Sequence, residues 1–346
     1  MSKSLSDFNN STVAVDAMGG DKGPEVVVEA VVEAQKYYGG KYIIVGDQKV
    51  LEPLLNKFGV ASNKDIKFLH AKDVVTMDDS PVEAVREKTD SSLVVAARTV
   101  RAKKADALVS PGNTGAVLAA GTLILGRIHG LERPGIAIPM PTATGYSVLI
   151  DAGANVDSKA IHLLNFAVMG SIYAQTIINI PSPRIGLLSI GEEESKGNEL
   201  TRESFPLFDK TFKEKTEYGK FIGNVEGRDI ANGKCDVIVC DGFTGNVVLK
   251  FGEGLAFTII DIMKQRLLAN PLRRVATLIL KRAFVEFKKK IDYTEYGGAP
   301  LLGVRSPCII CHGSSNKKAL RNALRVALLS IDQNICGKIQ DFVKCS

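Results

Sequence analysis

Short runs of Val, Ile and Leu alternate along the chain with longer stretches in which apolar residues recur every three or four positions. This is the pattern of βαβ units wound around a largely parallel sheet. The short runs predict strands at 12–16, 42–45, 66–69, 107–110, 136–139, 147–150, 184–190, 221–223, 237–240 and 308–311. Most are apolar throughout, as strands covered on both faces are. The longer spacing predicts helices over 24–38, 49–58, 91–104, 115–125, 160–176, 199–208 and 317–331.

One region departs from the alternation. Residues 246–290 read as a long helical stretch broken only at Asn270-Pro271, which predicts a protruding helical hairpin. On its second arm Ala276, Leu280, Phe284 and Phe287 fall on one side at helical spacing, with Arg274, Lys281, Lys288 and Lys289 mostly on the other. Between Asp261 and Lys290 basic residues outnumber acidic ones nine to two, a local excess of seven against +6 for the whole chain. A basic amphipathic arm suits an anionic membrane surface; a dimer-packing hairpin with a solvated basic face is the plainer alternative. Nucleic acid is not expected, because the stretch lacks the interleaved Arg, aromatic and Gly residues of a base-stacking platform.

Composition adds bounds. With 346 residues, 45% of them apolar and 24% charged, the chain is expected to form a single α/β domain over 1–346 with the hairpin as an excursion. Residues 1–10 are polar and lack the apolar core of a secretion signal, so a cytoplasmic location is expected. Residues 160–183 carry no Lys, Arg, Asp or Glu, yet Asn165, Gln175, Asn179 and two prolines interrupt them, which predicts a buried helix rather than a membrane span. The six cysteines have no framework spacing and are expected to be reduced. Cys308-Ile-Ile-Cys311 before His312 invites a zinc reading, but residues three apart on a strand face opposite ways and no second ligand pair follows. Neither a metal nor a cofactor is expected.

The chemistry is expected in the loops. Five share one construction, an apolar strand followed by a tight Gly, Ser, Thr or Asn turn and then a helix: Asp16-Ala-Met-Gly-Gly-Asp-Lys-Gly-Pro24, Ser110-Pro-Gly-Asn-Thr-Gly115, Gly191-Glu-Glu-Glu-Ser-Lys-Gly-Asn198, Asp241-Gly-Phe-Thr-Gly-Asn246 and His312-Gly-Ser-Ser-Asn316. Carboxyl ends of parallel strands share one sheet edge, and helix starts there present N–H groups that hold an anion. A phosphate-type ligand follows, bound by Gly112, Asn113, Thr114 and Gly115 together with Asp241, Thr244, Gly245 and Asn246. The P-loop, the Gly-x-Gly-x-x-Gly fingerprint and the Gly-x-Ser-x-Gly elbow are all absent, which disfavours an NTPase, a dinucleotide enzyme and a serine hydrolase. Lys196, inside a strand-to-helix loop, is the candidate cation for a developing oxyanion; a surface lysine balancing Glu192, Glu193 and Glu194 is the plainer reading. His312 is a candidate to orient phosphate or shuttle a proton, or a hydrogen-bonded structural histidine.

These residues bring a family into view. Val13-Ala-Val-Asp-Ala-Met-Gly-Gly-Asp21, Gly112-Asn-Thr-Gly-Ala116, Asp151-Ala-Gly-Ala-Asn-Val-Asp157, Lys196-Gly-Asn-Glu-Leu-Thr201, Phe221-Ile-Gly-Asn-Val-Glu226, Asp241-Gly-Phe-Thr-Gly-Asn-Val-Val-Leu-Lys250, Tyr296-Gly-Gly-Ala-Pro-Leu-Leu302 and His312-Gly-Ser-Ser315 together resemble the bacterial phosphate acyltransferases of phospholipid synthesis. The resemblance implies a Rossmann-like α/β/α core related to phosphotransacetylases, a homodimer, and transfer of a long-chain fatty acyl group from acyl carrier protein to inorganic phosphate. It also implies delivery of acyl phosphate to a membrane glycerol-3-phosphate acyltransferase and peripheral contact with the inner face of the cell membrane through the hairpin. On this reading Lys196, Asn198 and His312 serve the chemistry, while Arg273, Arg274, Leu280, Lys281 and Phe284 face lipid or carrier protein. A short-chain phosphotransacetylase, a metal-dependent hydroxyacid dehydrogenase and an inactive membrane scaffold are the alternatives.

Overall fold

The computed structural model describes residues 8–267, 269–270, 282 and 297–344. Twelve strands among them divide between two sheets. In the first, β1 (Thr12–Asp16), β2 (Lys41–Gly46), β3 (Ile66–His70), β4 (Ala107–Ser110) and β12 (Cys308–Ile310) run parallel in the order β3-β2-β1-β4-β12. β11 (Ala299–Leu302) and β5 (Gly135–Ile136) continue it antiparallel. In the second, β7 (Tyr146–Ile150), β10 (Val237–Val239), β8 (Arg184–Leu188) and β9 (Lys220–Val225) are parallel neighbours, and β6 (Ile138–Pro141) flanks β7 antiparallel.

The helices explain why the strands are apolar on both faces. Helix α1 (Pro24–Tyr38) starts with Pro at its first position, where the missing N–H costs nothing, and buries Val27, Val28, Val31 and Ala34. It packs with α10 (Lys317–Asp332) on one face of the first sheet, in a cluster with Val13, Val15 and Ile44. α4 (Ser92–Arg101) and α5 (Thr114–Ala120) cover the other face. This second cluster reaches into the second sheet through Leu149 and Ile238, so one core joins both. α6 (Ala160–Tyr173), α7 (Glu199–Glu214) and α11 (Ile335–Lys344) enclose the outer face of the second sheet around Phe166, Met169, Phe208 and Phe342. With the wider π turn that follows it, α6 is long and apolar enough to cross a membrane, but 67% of its apolar window is buried inside the fold. It is the core helix that its interrupting polar residues predict.

The mostly parallel α/β expectation holds, and the division into two sheets is what the pattern did not reveal. The run predicted as one strand at 136–139 is two: β5 pairs with β11 in the first sheet, and β6 pairs with β7 in the second. Between them the Ala137 N–H donates to the Pro300 carbonyl at 3.0 Å, and the chain passes from one sheet to the other. Three short elements were not expected: β11, α3 (Pro81–Glu87) and α8 (Gly227–Asn232). α11 was not expected either, and α7 continues through Pro206 to Glu214 rather than ending at 208.

The first arm of the expected hairpin is α9 (Gly242–Leu267), which begins four residues earlier than the spacing indicated. Only Gly242 and Gly245 of this helix are buried. Phe243, Val247, Phe251, Leu255 and Ile259 are exposed at intervals of four, so they wind along one side of it. Arg273, Arg274, Leu280, Lys281 and Phe284 of the expected second arm lie outside the described residues.

Candidate functional site

The Gly-rich turns are bound to one another backbone to backbone. A Cβ on Gly19, after β1, would stand 2.7 Å from the Gly112 Cα after β4, so these two turns touch where a side chain would part them. Asp16 ends β1 with its carboxylate buried; it accepts from the Ser110 hydroxyl at 2.7 Å and the Met18 N–H at 3.2 Å. The Asp21 N–H donates to the Gly313 carbonyl at 2.9 Å and draws in the turn after β12. Pro111 lies over Gly20, with its nearest ring carbon 3.2 Å from a Cβ there.

A parallel construction joins the turns of the second sheet. Asp151, which follows β7 and is fully buried, accepts from the N–H groups of Ile136, Gly153, Ala154 and Asn155 and from the Asn155 side-chain amide, at 2.7–3.2 Å. Burial pushes this carboxyl above its ordinary value of 3.8, against the downward pull of those donors. The turn after β10 lies on top of it: the Gly242 N–H donates to the Asn155 carbonyl at 2.7 Å, and a Cβ on Gly245 would sit 1.9 Å from the Asp151 carbonyl oxygen.

Where the two sheets meet, these turns open on a cleft of about 290 Å³. Thr114, Asn246, His312 and Ser315 supply its polar side, Ile136, Ile138, Ala152 and Leu249 its apolar side, and Lys250 and Glu253 lie along α9 beside Asn246. One helix start contributes directly, α5 through Thr114, while Asn246 stands one turn into α9 and Ser315 just ahead of the Asn316 cap of α10. The first N–H groups of a helix have no acceptor within it, and the positive end of its dipole favours an anion.

The predicted phosphate residues divide by what already occupies them. Asn113 caps α5, its Oδ1 accepting from the Ala116 N–H at 3.1 Å, while its Nδ2 donates to the Met77 carbonyl at 3.1 Å. Its side chain ties the 76–79 loop to the helix start. Thr114 and Gly115 are the first two residues of α5, and Thr114 lines the cleft. Asp241 anchors its own turn, one oxygen accepting from the Thr244 N–H at 2.9 Å and the other from the Thr244 hydroxyl at 2.7 Å. The Gly245 N–H donates to the Asp241 carbonyl. Asn246 alone of that turn lines the cleft.

Lys196 and Asn198 do not line it. Lys196 is exposed on the turn after β8, and Asn198 caps α7 with its Oδ1 accepting from the Thr201 N–H at 2.9 Å. Because β8 lies beside β10, that turn borders the Asp241 turn on the same sheet edge. Lys250, Glu253 and Ser315 were not singled out from sequence. Leu249, Lys250 and Glu253 follow Asn246 at three, four and seven positions, the spacing of one helix face, and that signal was present once α9 was known to start at Gly242. Lys250 Nζ lies 3.0 Å from Glu253 Oε2.

Cys311 also lines the cleft, but burial pushes its thiol up to about 12, as it does those of Cys235, Cys308 and Cys336. A thiol held protonated is a poor nucleophile and a poor metal ligand. Cys308 belongs to the core between the sheets and Cys311 to the core under α1 and α10, so the two do face opposite ways. Among the described residues no group of three His, Cys, Asp or Glu could hold a metal ion.

Comparison with known proteins gives this geometry a lineage. Residues 11–338 match the family described as fatty acid synthesis protein. A phosphate acyltransferase from Alkaliphilus oremlandii is 47% identical over 331 residues, covering 96% of this chain and 97% of that protein. One from Geobacter sulfurreducens is 49% identical over 315 residues, covering 91% of this chain and 89% of its own. Among solved structures, a phosphotransacetylase from Streptococcus pyogenes superposes with a TM-score of 0.66 at 16% identity, covering 93% of this chain and 94% of its own. A phosphotransacetylase from Staphylococcus aureus gives 0.61, at the same identity and coverage. At that identity the likeness is one of fold.

Proposed function

We propose a donor and a destination for a chain that belongs to the fatty acid synthesis protein family, has phosphate acyltransferases as its relatives, and is itself an acyltransferase working with phosphate. The chain transfers a long-chain fatty acyl group from acyl-acyl carrier protein to inorganic phosphate. The acyl phosphate formed serves a membrane glycerol-3-phosphate acyltransferase in phospholipid synthesis. The observation that carries this reading is a single cleft with the start of α5 and polar side chains at one side and Ile136, Ile138 and Leu249 at the other. An anion and an acyl chain are the two things such a cleft would hold side by side.

The chemistry follows from phosphate itself. As a partly ionised nucleophile near neutral pH it needs positioning and charge stabilisation more than a strong base. A phosphate oxygen attacks the thioester carbonyl, the tetrahedral oxyanion collapses, and the carrier's thiolate leaves and takes up a proton. Transfer is direct, without an acyl-enzyme: Cys311, at the cleft wall, belongs to the core under α1 and α10, and that burial raises its thiol pKa. Thr114, Gly115, Asn246 and His312 seat the phosphate. Lys196, exposed on the turn next to that of Asn246, stabilises the oxyanion or departing sulfur together with Asn198. The exposed apolar side of α9, opposite its cleft side, suits a homodimer contact continued by the basic arm onto an anionic membrane surface, and so peripheral attachment at the cytoplasmic face of the membrane.

Incubating the protein with palmitoyl-acyl carrier protein and labelled phosphate tests the reaction. Labelled acyl phosphate with stoichiometric release of carrier thiol is expected. A strong preference for short-chain acyl-CoA over the carrier-bound donor would overturn the donor assignment.

A further inference from the structure

His312 lines the cleft but is not held by it. Its ring is tied instead to its own turn: Nδ1 lies 3.2 Å from the Ser314 backbone nitrogen, which donates to it, and 2.8 Å from the Ser314 hydroxyl. A backbone N–H can only donate, so the atom facing it must be a bare lone pair. In neutral imidazole an unprotonated Nδ1 places the hydrogen on Nε2. The turn is itself braced, with the Ser315 N–H donating to the His312 carbonyl at 2.9 Å and the Asn316 side chain capping α10. The ring therefore cannot turn over to exchange its two nitrogens without giving up both contacts to Ser314.

We infer that His312 acts as a fixed hydrogen-bond donor through Nε2–H, and that Ser314 is the positioning residue that holds the imidazole in this tautomer. Resting on the cleft as the phosphate site, the inference goes beyond it in assigning a role. Nε2–H donates to a phosphate oxygen and keeps its proton throughout, and no proton is relayed through Nδ1, whose lone pair is taken by Ser314. The function is that of a phosphate-anchoring donor rather than of a general base. The phosphate class of ligand suits this, since each of its oxygens accepts and none of the ionised ones needs deprotonation.

Two measurements separate this from the reaction assignment. The chain has four histidines, so nitrogen-15 NMR of the imidazoles, with His312→Ala identifying the missing signals, reads the tautomer with no substrate present. A pyridine-like Nδ1 and a protonated Nε2 are expected for His312, and Ser314→Ala should bring the two resonances toward an exchange average. A protonated Nδ1 in the native protein would overturn the inference even if acyl phosphate is made at full rate. In turnover, His312→Ala should lower kcat/KM for phosphate by about ten- to a hundredfold, mainly through KM. His312→Gln, which retains an N–H donor but cannot exchange a proton, should recover activity to within about tenfold of the native protein, the range a displaced but intact donor leaves. Equal loss in the Gln and Ala variants, both still folded by circular dichroism, would reject the donor role in favour of proton transfer.

Discussion

At the scale of single residues, the site separates groups that shape the cleft from groups that face the ligand. Asp16, Asp151 and Asp241 all stand at strand ends where a ligand carboxylate could be imagined, and each has its oxygens taken by N–H and O–H groups of the same or a neighbouring turn. Sequence could place them at the right edge but not tell that their charge is spent internally, because the partners of Asp16 and Asp151 include residues far along the chain such as Ser110 and Ile136. Lys196 is the opposite case, an exposed cation with no place in the cleft wall. If it acts on the transition state, Lys196→Ala lowers kcat about a hundredfold or more while the thermal midpoint stays where it was. Steady-state rates beside a melting curve check both halves, and an active variant removes Lys196 from the mechanism.

At the scale of elements, regular periodicity was legible and pairing was not. α1 was predicted to the residue because Gly23-Pro24 marks its start and its apolar spacing runs unbroken. β5, β6 and β11 were misread or missed because they are two to four residues long, too short for periodicity to tell one strand from two. Two predictions belong here. Gly245 lies in the first turn of α9, where helix propensity alone favours Ala by about 1 kcal/mol. The Asp151 carbonyl 1.9 Å from its Cβ position outweighs that, so Gly245→Ala should destabilise the protein by about 3 kcal/mol, measured by denaturant unfolding. The second concerns the seam between α1 and α10, where Lys317 and Arg321 both pair with Glu33. The hydrogen bond from Lys317 leads in holding the Glu33 carboxyl below its ordinary value of 4.5. A carboxylate so lowered contributes stability that is complete above that ordinary value and fades as pH falls below it toward the folded-state value. Glu33→Gln should therefore lower the melting temperature at neutral pH and flatten its decline between neutral pH and the acid range.

At the scale of the molecule, the site exists because two sheets meet. Both sheets line the cleft, Thr114, Ile136, His312 and Ser315 coming from the first and its turns and Ile138, Asn246 and Leu249 from the second, and the cleft lies along their seam. The turns themselves could be read from sequence as five similar segments, yet their sorting into those that converge and those that do not required the strand order, which depends on contacts hundreds of residues apart. A tetrahedral oxyanion of matching size should compete for that seam. Sulfate is expected to raise the apparent KM for phosphate while leaving kcat unchanged, as initial rates at several sulfate concentrations would show; a fall in kcat alone would place its action elsewhere.

The Asp151 carboxylate beneath the Asp241 turn has a consequence for how the anion arrives. With five donors already gathered around it, this buried carboxyl group does for the surrounding main chain what an incoming ligand does in a pliant loop. Phosphate then enters a mould that has already set, and little of its binding energy is spent on shaping the walls.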